Sequence, residues 1–138
     1  MALNLIKLCV GITQFDELAA WQQHRLRKDG VVQHVTRMTP RRGDELLTGG
    51  SIYWVIKGHI QARQRLLELR PVVDGEGVAR CALILDPKLV PTQPYPRRPF
   101  QGWRYLKPAD APPDAGRGGG KNEMPPEMRA ELMALGLL

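Results

Sequence analysis

Apolar positions in the N-terminal part of the chain follow a strand, helix and strand pattern. Residues 3–10 are apolar and partly β-branched, which predicts a strand buried on most sides. Residues 14–28 place apolar side chains at roughly helical spacing, and Thr13 with Asp16 three residues later is typical of a helix start. Residues 31–38 return to β-branched character, so we expect a second strand there.

The middle of the chain alternates between polar and apolar residues. Residues 44–47 allow one helical turn before a Gly-Gly pair, and residues 51–57 form the clearest strand. Alternate side chains of that strand share a face, so Ile52, Trp54 and Ile56 lie together.

The segment that follows is ambiguous between helix and strand. Residues 59–70 contain good helix formers but also alternate. We favour a strand because residues 71–73, a turn at 74–77 and an apolar run at 78–86 together resemble a hairpin.

Composition changes after residue 86. Of the 12 prolines, all but one lie beyond residue 70, so regular structure is expected to become sparse. We predict one globular domain over residues 1–114, in which residues 87–114 form an extended aromatic arm. A glycine-rich linker at 115–122 and a short helix at 123–138 would follow.

These elements predict an α+β fold. We expect a curved, mostly antiparallel sheet of five or six strands, closed or nearly so, with the first helix across one opening. No internal repeat is visible in the sequence.

Charge and cysteine content narrow the class of protein. The net charge is +6, and arginine outnumbers lysine, which favours planar contacts with phosphate or carboxylate groups. A charge of this size also simply keeps small proteins soluble. Cys9 and Cys81 are flanked by apolar residues and have no Cys or His nearby at metal-ligand spacing. We therefore expect buried, reduced thiols, although a disulfide between them stays open. With no export signal or spanning segment, we expect a cytoplasmic protein without membrane contact.

Catalytic motifs are absent from the sequence. There is no nucleophile elbow, phosphate-binding loop, dinucleotide fingerprint or zinc motif, and no cofactor or metal is predicted. Glu45 and Lys57 are weak candidates for a carboxylate and a base, but acids near residue 44 are more typical of a helix N-terminus. Whether the chain is an enzyme stays open.

Basic and aromatic residues carry the strongest functional signal. Between residues 88 and 107 five cations alternate with four aromatic residues and no acid is present. Guanidinium groups beside exposed rings suit single-stranded nucleic acid, whereas rings in an extended arm also pack as a lid over a core. The predicted interface for RNA or single-stranded DNA comprises Arg41, Arg42, Trp54, Lys57, Arg63, Arg65, Arg97, Arg98, Trp103 and Arg104.

Several long motifs resemble those of one bacterial family. They are residues 37–42 (RMTPRR), 44–47 (DELL), 49–58 (GGSIYWVIKG), 61–65 (QARQR), 97–108 (RRPFQGWRYLKP) and 110–112 (DAP). In these segments the sequence resembles the family called domain of unknown function 1489, over most of residues 1–114. The resemblance implies a family but no activity.

The order of elements is also similar to that of PUA-like domains, a group that includes ASCH and EVE domains. That resemblance implies a small β-barrel with peripheral helices and binding of RNA or a modified base, with Trp54 and Lys57 lining a pocket between barrel and helix. It also implies an alternative function, an ASCH-like hydrolase of a modified nucleoside. A third possibility is an adaptor that binds another protein through the terminal helix. The oligomeric state is not predicted.

Overall fold

The computed structural model describes residues 2–98 and 100–115. In chain order the elements are β1 (Asn4–Leu8), α1 (Phe15–Asp29), β2 (Val32–Thr36), α2 (Gly43–Leu47), β3 (Ser51–Ile56), β4 (His59–Val73), β5 (Ala79–Leu85), β6 (Val90–Pro96) and β7 (Trp103–Leu106). A 3₁₀ helix, Pro108–Asp110, follows β7. The predicted linker lies almost wholly outside the described residues, and the predicted terminal helix lies entirely outside them.

All seven strands belong to one mixed sheet. Its order is β2-β5-β4-β3-β1-β7, and β6 pairs with β4 beside this path. Strands β1 and β3 run parallel, and the other ladders are antiparallel. The predicted α+β fold with a curved, mostly antiparallel sheet is confirmed. The sheet has seven strands rather than five or six, and it does not close into a barrel.

The curvature of the sheet originates in β4, a strand of 15 residues that pairs with different strands along its two halves. Its first half pairs with β3 and β6, and its second half pairs with β5 from Leu66 onward. The register is irregular near Leu66, where irregular pairing bends a strand. As a result β2 curls over β3, and the rings of His34 and Trp54 lie 5.5 Å apart.

Both faces of the sheet carry apolar residues. The inner face, which lies under α1, contains Leu5, Trp54 and Leu83, and Leu18 of α1 packs against it. The outer face carries a smaller cluster that includes Ile6. Each fully buried leucine or isoleucine contributes about 1.5–3 kcal/mol to folding, so the inner face supplies most of the core.

Helix α1 begins with a different cap from the one predicted. The N-cap is Gln14, and both the backbone N–H and the hydroxyl of Thr13 donate to the Glu17 carboxylate. Asp16, the predicted partner, is not the residue used. The helix ends at Asp29, and its C-cap is Gly30, whose φ of 79° is left-handed and whose N–H donates to the Leu26 carbonyl. The predicted helix itself is confirmed.

Two consecutive glycines connect α2 to β3, for different reasons. Gly49 has a φ of +93°, a conformation that L side chains rarely adopt. Gly50 lies so close to the carbonyl oxygens of Leu3 and Leu46 that a Cβ atom would collide with them. This close approach positions the start of β3 against the N-terminus of β1.

The arm after residue 86 is more regular than predicted. It contains β6 and β7, whereas the prolines suggested little regular structure. Strand β6 pairs with β4 alone, and proline is tolerated on such an edge because its missing N–H needs no partner there. The prediction of sparse structure was therefore wrong for this segment.

Two smaller expectations can be compared with the fold. Cys9 and Cys81 are both free thiols, and Cys81 is buried as predicted, whereas Cys9 is only partly buried. Among residues 2–98 and 100–115, no helix combines the length and apolar character needed to cross a membrane.

Candidate nucleic-acid interface

Strand β7 divides its side chains between the two faces of the sheet. Trp103 and Tyr105 pair with Lys7 and Leu5 of β1 and pack against the inner-face cluster. Arg104 pairs with Ile6 and therefore lies on the outer face. Trp103 and Arg104, which are neighbours in the predicted interface, therefore lie on opposite faces of the sheet.

The two inner aromatic residues hold the loop between β2 and α2. The Trp103 indole N–H donates to the Met38 carbonyl at 2.8 Å. The Tyr105 hydroxyl accepts hydrogen bonds from the backbone N–H groups of Arg41 and Arg42, at 3.0 and 3.1 Å. These contacts join the two edges of the open sheet where no strand ladder exists. We call this contact region, formed by residues 38–42 with Trp103 and Tyr105, the seam.

The Arg42 side chain at the seam is already paired with an acidic residue. Its guanidinium donates to both carboxylate oxygens of Glu45, at 2.5 and 2.7 Å, and lies 5.5 Å from the centre of the Tyr105 ring. The hydrogen bonds from Arg42 lower the pKa of the Glu45 carboxyl, and the carboxylate raises that of Arg42. The Arg41 side chain is exposed and makes no ion pair within the described residues.

Arg63 is also committed to an internal contact. Its guanidinium donates to both oxygens of the Asp114 carboxylate, at 2.6 and 2.8 Å, and to the Ser51 hydroxyl at 3.1 Å. The carboxylate raises the pKa of Arg63, which stays charged. This bidentate pair fastens the segment after the 3₁₀ helix onto β4. Arg65, two residues along the strand, is exposed.

Trp54 is a core residue and is not presented to solvent. Its side chain is 3% exposed, and its indole N–H donates to the Gln64 side-chain oxygen at 3.0 Å. It lines a pocket between α1 and the sheet, and Lys57 is not among the residues that line this pocket.

The structure does not bring Lys57 and Glu45 together. Glu45 precedes β3 and is paired with Arg42, whereas Lys57 is exposed in the turn beyond the other end of β3. Six residues of strand separate the first residue of β3 from Lys57, or roughly 20 Å. The predicted carboxylate and base are therefore not a catalytic pair, because a proton transfer needs contact or one bridging water.

Three arginines remain grouped and free. Arg97, Arg98 and Arg104 line an open groove of about 520 Å³ on the outer face, together with Pro96 and Phe100. We call this feature the arm groove. None of the three arginines makes an ion pair with a described residue, and no acidic side chain lines the groove.

Aromatic and backbone contacts shape the arm groove. The Arg104 guanidinium lies 4.8 Å from the centre of the Phe100 ring, and Phe100 packs on the outer-face cluster. The backbone N–H of Arg97 donates to the Gly58 carbonyl at 2.8 Å, which anchors the groove beside the exposed Lys57. Lys57 itself has a left-handed φ of 50° in this turn.

Sequence reasoning did not single out Phe100 as a site residue, nor the polar residues Lys7 and His34 of the inner pocket. The position of Phe100 between Arg98 and Arg104 in the sequence could have indicated that it belongs to the site. No sequence pattern indicates Lys7 and His34, because only the curvature of the sheet brings β1 and β2 to one pocket. Within the described residues, no cluster of three or more potential metal ligands occurs.

Together these features define an α+β domain on a curved mixed sheet, with a basic groove outside and an apolar pocket inside. The chain belongs to the family described as "Protein of unknown function (DUF1489)", whose sequence model matches residues 5–138. The match confirms the family indicated by the motifs and extends it through the glycine-rich tail. No curated protein and no solved structure matches the chain significantly.

Proposed function

We propose that this protein binds single-stranded nucleic acid, RNA or DNA, through the arm groove. The observation that carries the proposal is the group Arg97, Arg98 and Arg104 in one groove, where no described residue pairs with their guanidinium groups and no described acidic side chain lines the groove. Guanidinium groups bind phosphate oxygens in a bidentate manner. When protein cations neutralise phosphates, the counterions condensed on the nucleic acid are released, and this release favours binding.

The rings near the groove suit an unpaired strand. Phe100 contributes an aromatic surface at the groove, and Tyr95, on the adjacent β6, is 50% exposed. Unstacked bases gain free energy by stacking on such rings, which a duplex does not offer. The proposal therefore favours single strands over duplex.

Three other exposed cations of the predicted interface lie outside the arm groove, in two directions from it. Lys57 lies next to the Arg97 anchor, and Arg65 and Arg41 lie toward the other end of β3. A strand bound in the arm groove would reach this second group only by crossing roughly 20 Å of sheet. We assign the main affinity to the arm groove and a smaller contribution to the distant cations.

A cytoplasmic location is part of the proposal. Both thiols are free, in keeping with a reducing compartment, where RNA is present.

A direct titration tests the proposal. Short mixed-sequence RNA, single-stranded DNA and duplex DNA are labelled and titrated with the full chain near physiological salt. We expect single-strand dissociation constants of about 1–100 µM, in the range of nonspecific complexes, and weaker duplex binding. The double variant Arg97→Ala/Arg98→Ala should bind about tenfold more weakly because two phosphate contacts are lost.

A charge-matched control separates a site from net charge. Arg27→Ala/Lys28→Ala removes the same two charges from the last turn of α1 and should leave the affinity nearly unchanged. Equal weakening by both double variants, or no binding at tens of micromolar, would show that the arm groove is not a nucleic-acid site.

A further inference from the structure

A second cavity lies on the opposite side of the sheet from the arm groove. It has a volume of about 380 Å³, is partly open to solvent, and is lined by residues of β1, the loop after it, α1, β2, β3 and β5. Apolar side chains such as Ile12, Leu18, Val32 and Leu85 form much of its wall. Pockets for small molecules have volumes of about 300–1,000 Å³ and combine an apolar wall with few polar groups. None of the arm-groove residues lines this inner pocket.

One wall of the inner pocket is a fixed aromatic pair. The rings of His34 and Trp54 meet edge to face, with an angle of 81° between their planes. The hydrogen bond from the Trp54 indole to Gln64 fixes the ring, and Gln64 is itself paired with Gln22 of α1. Burial lowers the pKa of His34 to about 4, so its imidazole is neutral at pH 7. This wall therefore suits a flat, uncharged part of a ligand.

Among the described residues that line the inner pocket, Lys7 is the only cation. In the sheet it lies directly between Trp54 of β3 and Trp103 of β7. The side chain is half-buried, and burial lowers its pKa. Within the part of the chain that the structure describes, its ammonium makes no ion pair, and no acidic residue lines the pocket.

Nearby groups do not neutralise this charge. Burial raises the pKa of the Cys9 thiol to about 11, so Cys9 stays protonated and uncharged. Glu17 is exposed and accepts hydrogen bonds from Thr13. A half-buried cation without a counterion lowers the stability of the fold, and a bound anion would remove this cost.

We propose that the inner pocket binds a small planar aromatic molecule that carries one carboxylate or phosphate group. The ring packs against Trp54 and His34, and the anion binds the Lys7 ammonium. This site is separate from the arm groove and does not depend on nucleic-acid binding.

A matched series of probes tests the proposal in the full chain. Benzoate, phenyl phosphate and benzamide are titrated while the indole and backbone amide signals are followed by NMR. We expect at least one of the two anions to shift the Trp54 indole signal with a millimolar dissociation constant. Benzamide, which has the ring but no charge, should bind at least about tenfold more weakly. Comparing the two anions shows whether the site prefers carboxylate or phosphate.

A lysine variant gives a second readout. Lys7→Met keeps the apolar stem and removes the charge, so anion affinity should fall at least about tenfold while benzamide affinity and the melting temperature do not fall. Lys28→Met on the exposed side of α1 is the control. If Lys7→Met fails to fold, Lys7→Gln replaces it. Equal binding of anions and benzamide, no shift of the Trp54 signal, or full anion affinity without Lys7 would overturn the proposal.

Discussion

The two faces of strand β7 carry different kinds of side chain, aromatic on the inner face and basic on the outer face, with opposite results. On the inner face, Trp103 and Tyr105 bind the backbone of residues 38–42 and join the edges of the sheet. On the outer face, Arg104 lies over Phe100 in a groove whose other arginines have no acidic partner among the described residues. One face stabilises the fold, and the other is available for a ligand.

The comparison shows why composition alone does not define an interface. In the segment 88–107 the cations and the aromatic rings are interleaved between residues 95 and 107. The period of two along β7 decides which residues are buried, and hydrogen-bond partners decide which cations are free. Arg42 and Arg63 have acidic partners, whereas Arg97 and Arg98 have none among the described residues. We therefore expect inner-face changes to affect stability and outer-face changes to affect binding.

The largest expected effect is on the seam. Trp103→Ala removes a large ring from the inner-face cluster together with its hydrogen bond to Met38, so we expect a loss of about 3 kcal/mol in the free energy of unfolding. Denaturant unfolding measures this loss. Oligonucleotide affinity, measured where the variant is still folded, should change less than twofold. A stable variant with a large loss of affinity would mean that the ring stacks on a base.

The pH dependence of stability tests the inner pocket. His34 has a pKa of about 4 in the folded state, against an ordinary value of 6.5. Between these values the unfolded chain binds a proton that the folded chain does not, so stability falls as the pH drops from 6.5 toward 4. Allowing for partial exposure of the ring, we expect a loss of about 2 kcal/mol over this window.

Denaturant unfolding at several pH values checks this expectation. His34→Gln should flatten the dependence between pH 6.5 and pH 4, and His24→Gln on the exposed side of α1 should retain it. A wild-type slope that survives in His34→Gln would show that other groups cause the acid sensitivity.

A smaller change at the seam isolates its hydrogen bonds. Tyr105→Phe keeps the ring and removes the hydroxyl that accepts from the N–H groups of Arg41 and Arg42. We expect a loss of about 1 kcal/mol, because these partly exposed donors regain water when the hydroxyl is absent. Faster amide exchange at residues 41 and 42 should accompany it. Unchanged exchange would contradict the assigned role of the hydroxyl.

Local patterns predicted much of the fold. Helix α1 and strand β3 follow clear periodicities, and the β4–β5 hairpin follows from the turn at residues 74–77. In that turn the Asp74 carboxylate accepts hydrogen bonds from the N–H groups of Glu76 and Val78, both at 2.9 Å. Such local chemistry is encoded by neighbouring residues and can be read directly.

Long-range pairing explains what was missed. Strands β6 and β7 are stabilised by β4 and β1, which are distant in sequence, and the prolines hid β6. The candidate site was predicted only in part, since the same run of residues supplied Arg97, Arg98 and Arg104 as well as the packed Trp103. Whether a given arginine is paired depends on partners such as Asp114, 51 residues from Arg63 in the chain. No local pattern reveals that contact.

The salt dependence of oligonucleotide binding tests the central claim most directly. Each phosphate contact contributes about 0.7 to the slope of the logarithm of affinity against the logarithm of salt concentration for a single strand. We predict that Arg97→Ala/Arg98→Ala reduces the magnitude of this slope by about 1.4, with the melting temperature unchanged because neither exposed side chain packs in a core. An unchanged slope would contradict the account, because phosphate would then be bound elsewhere than in the arm groove.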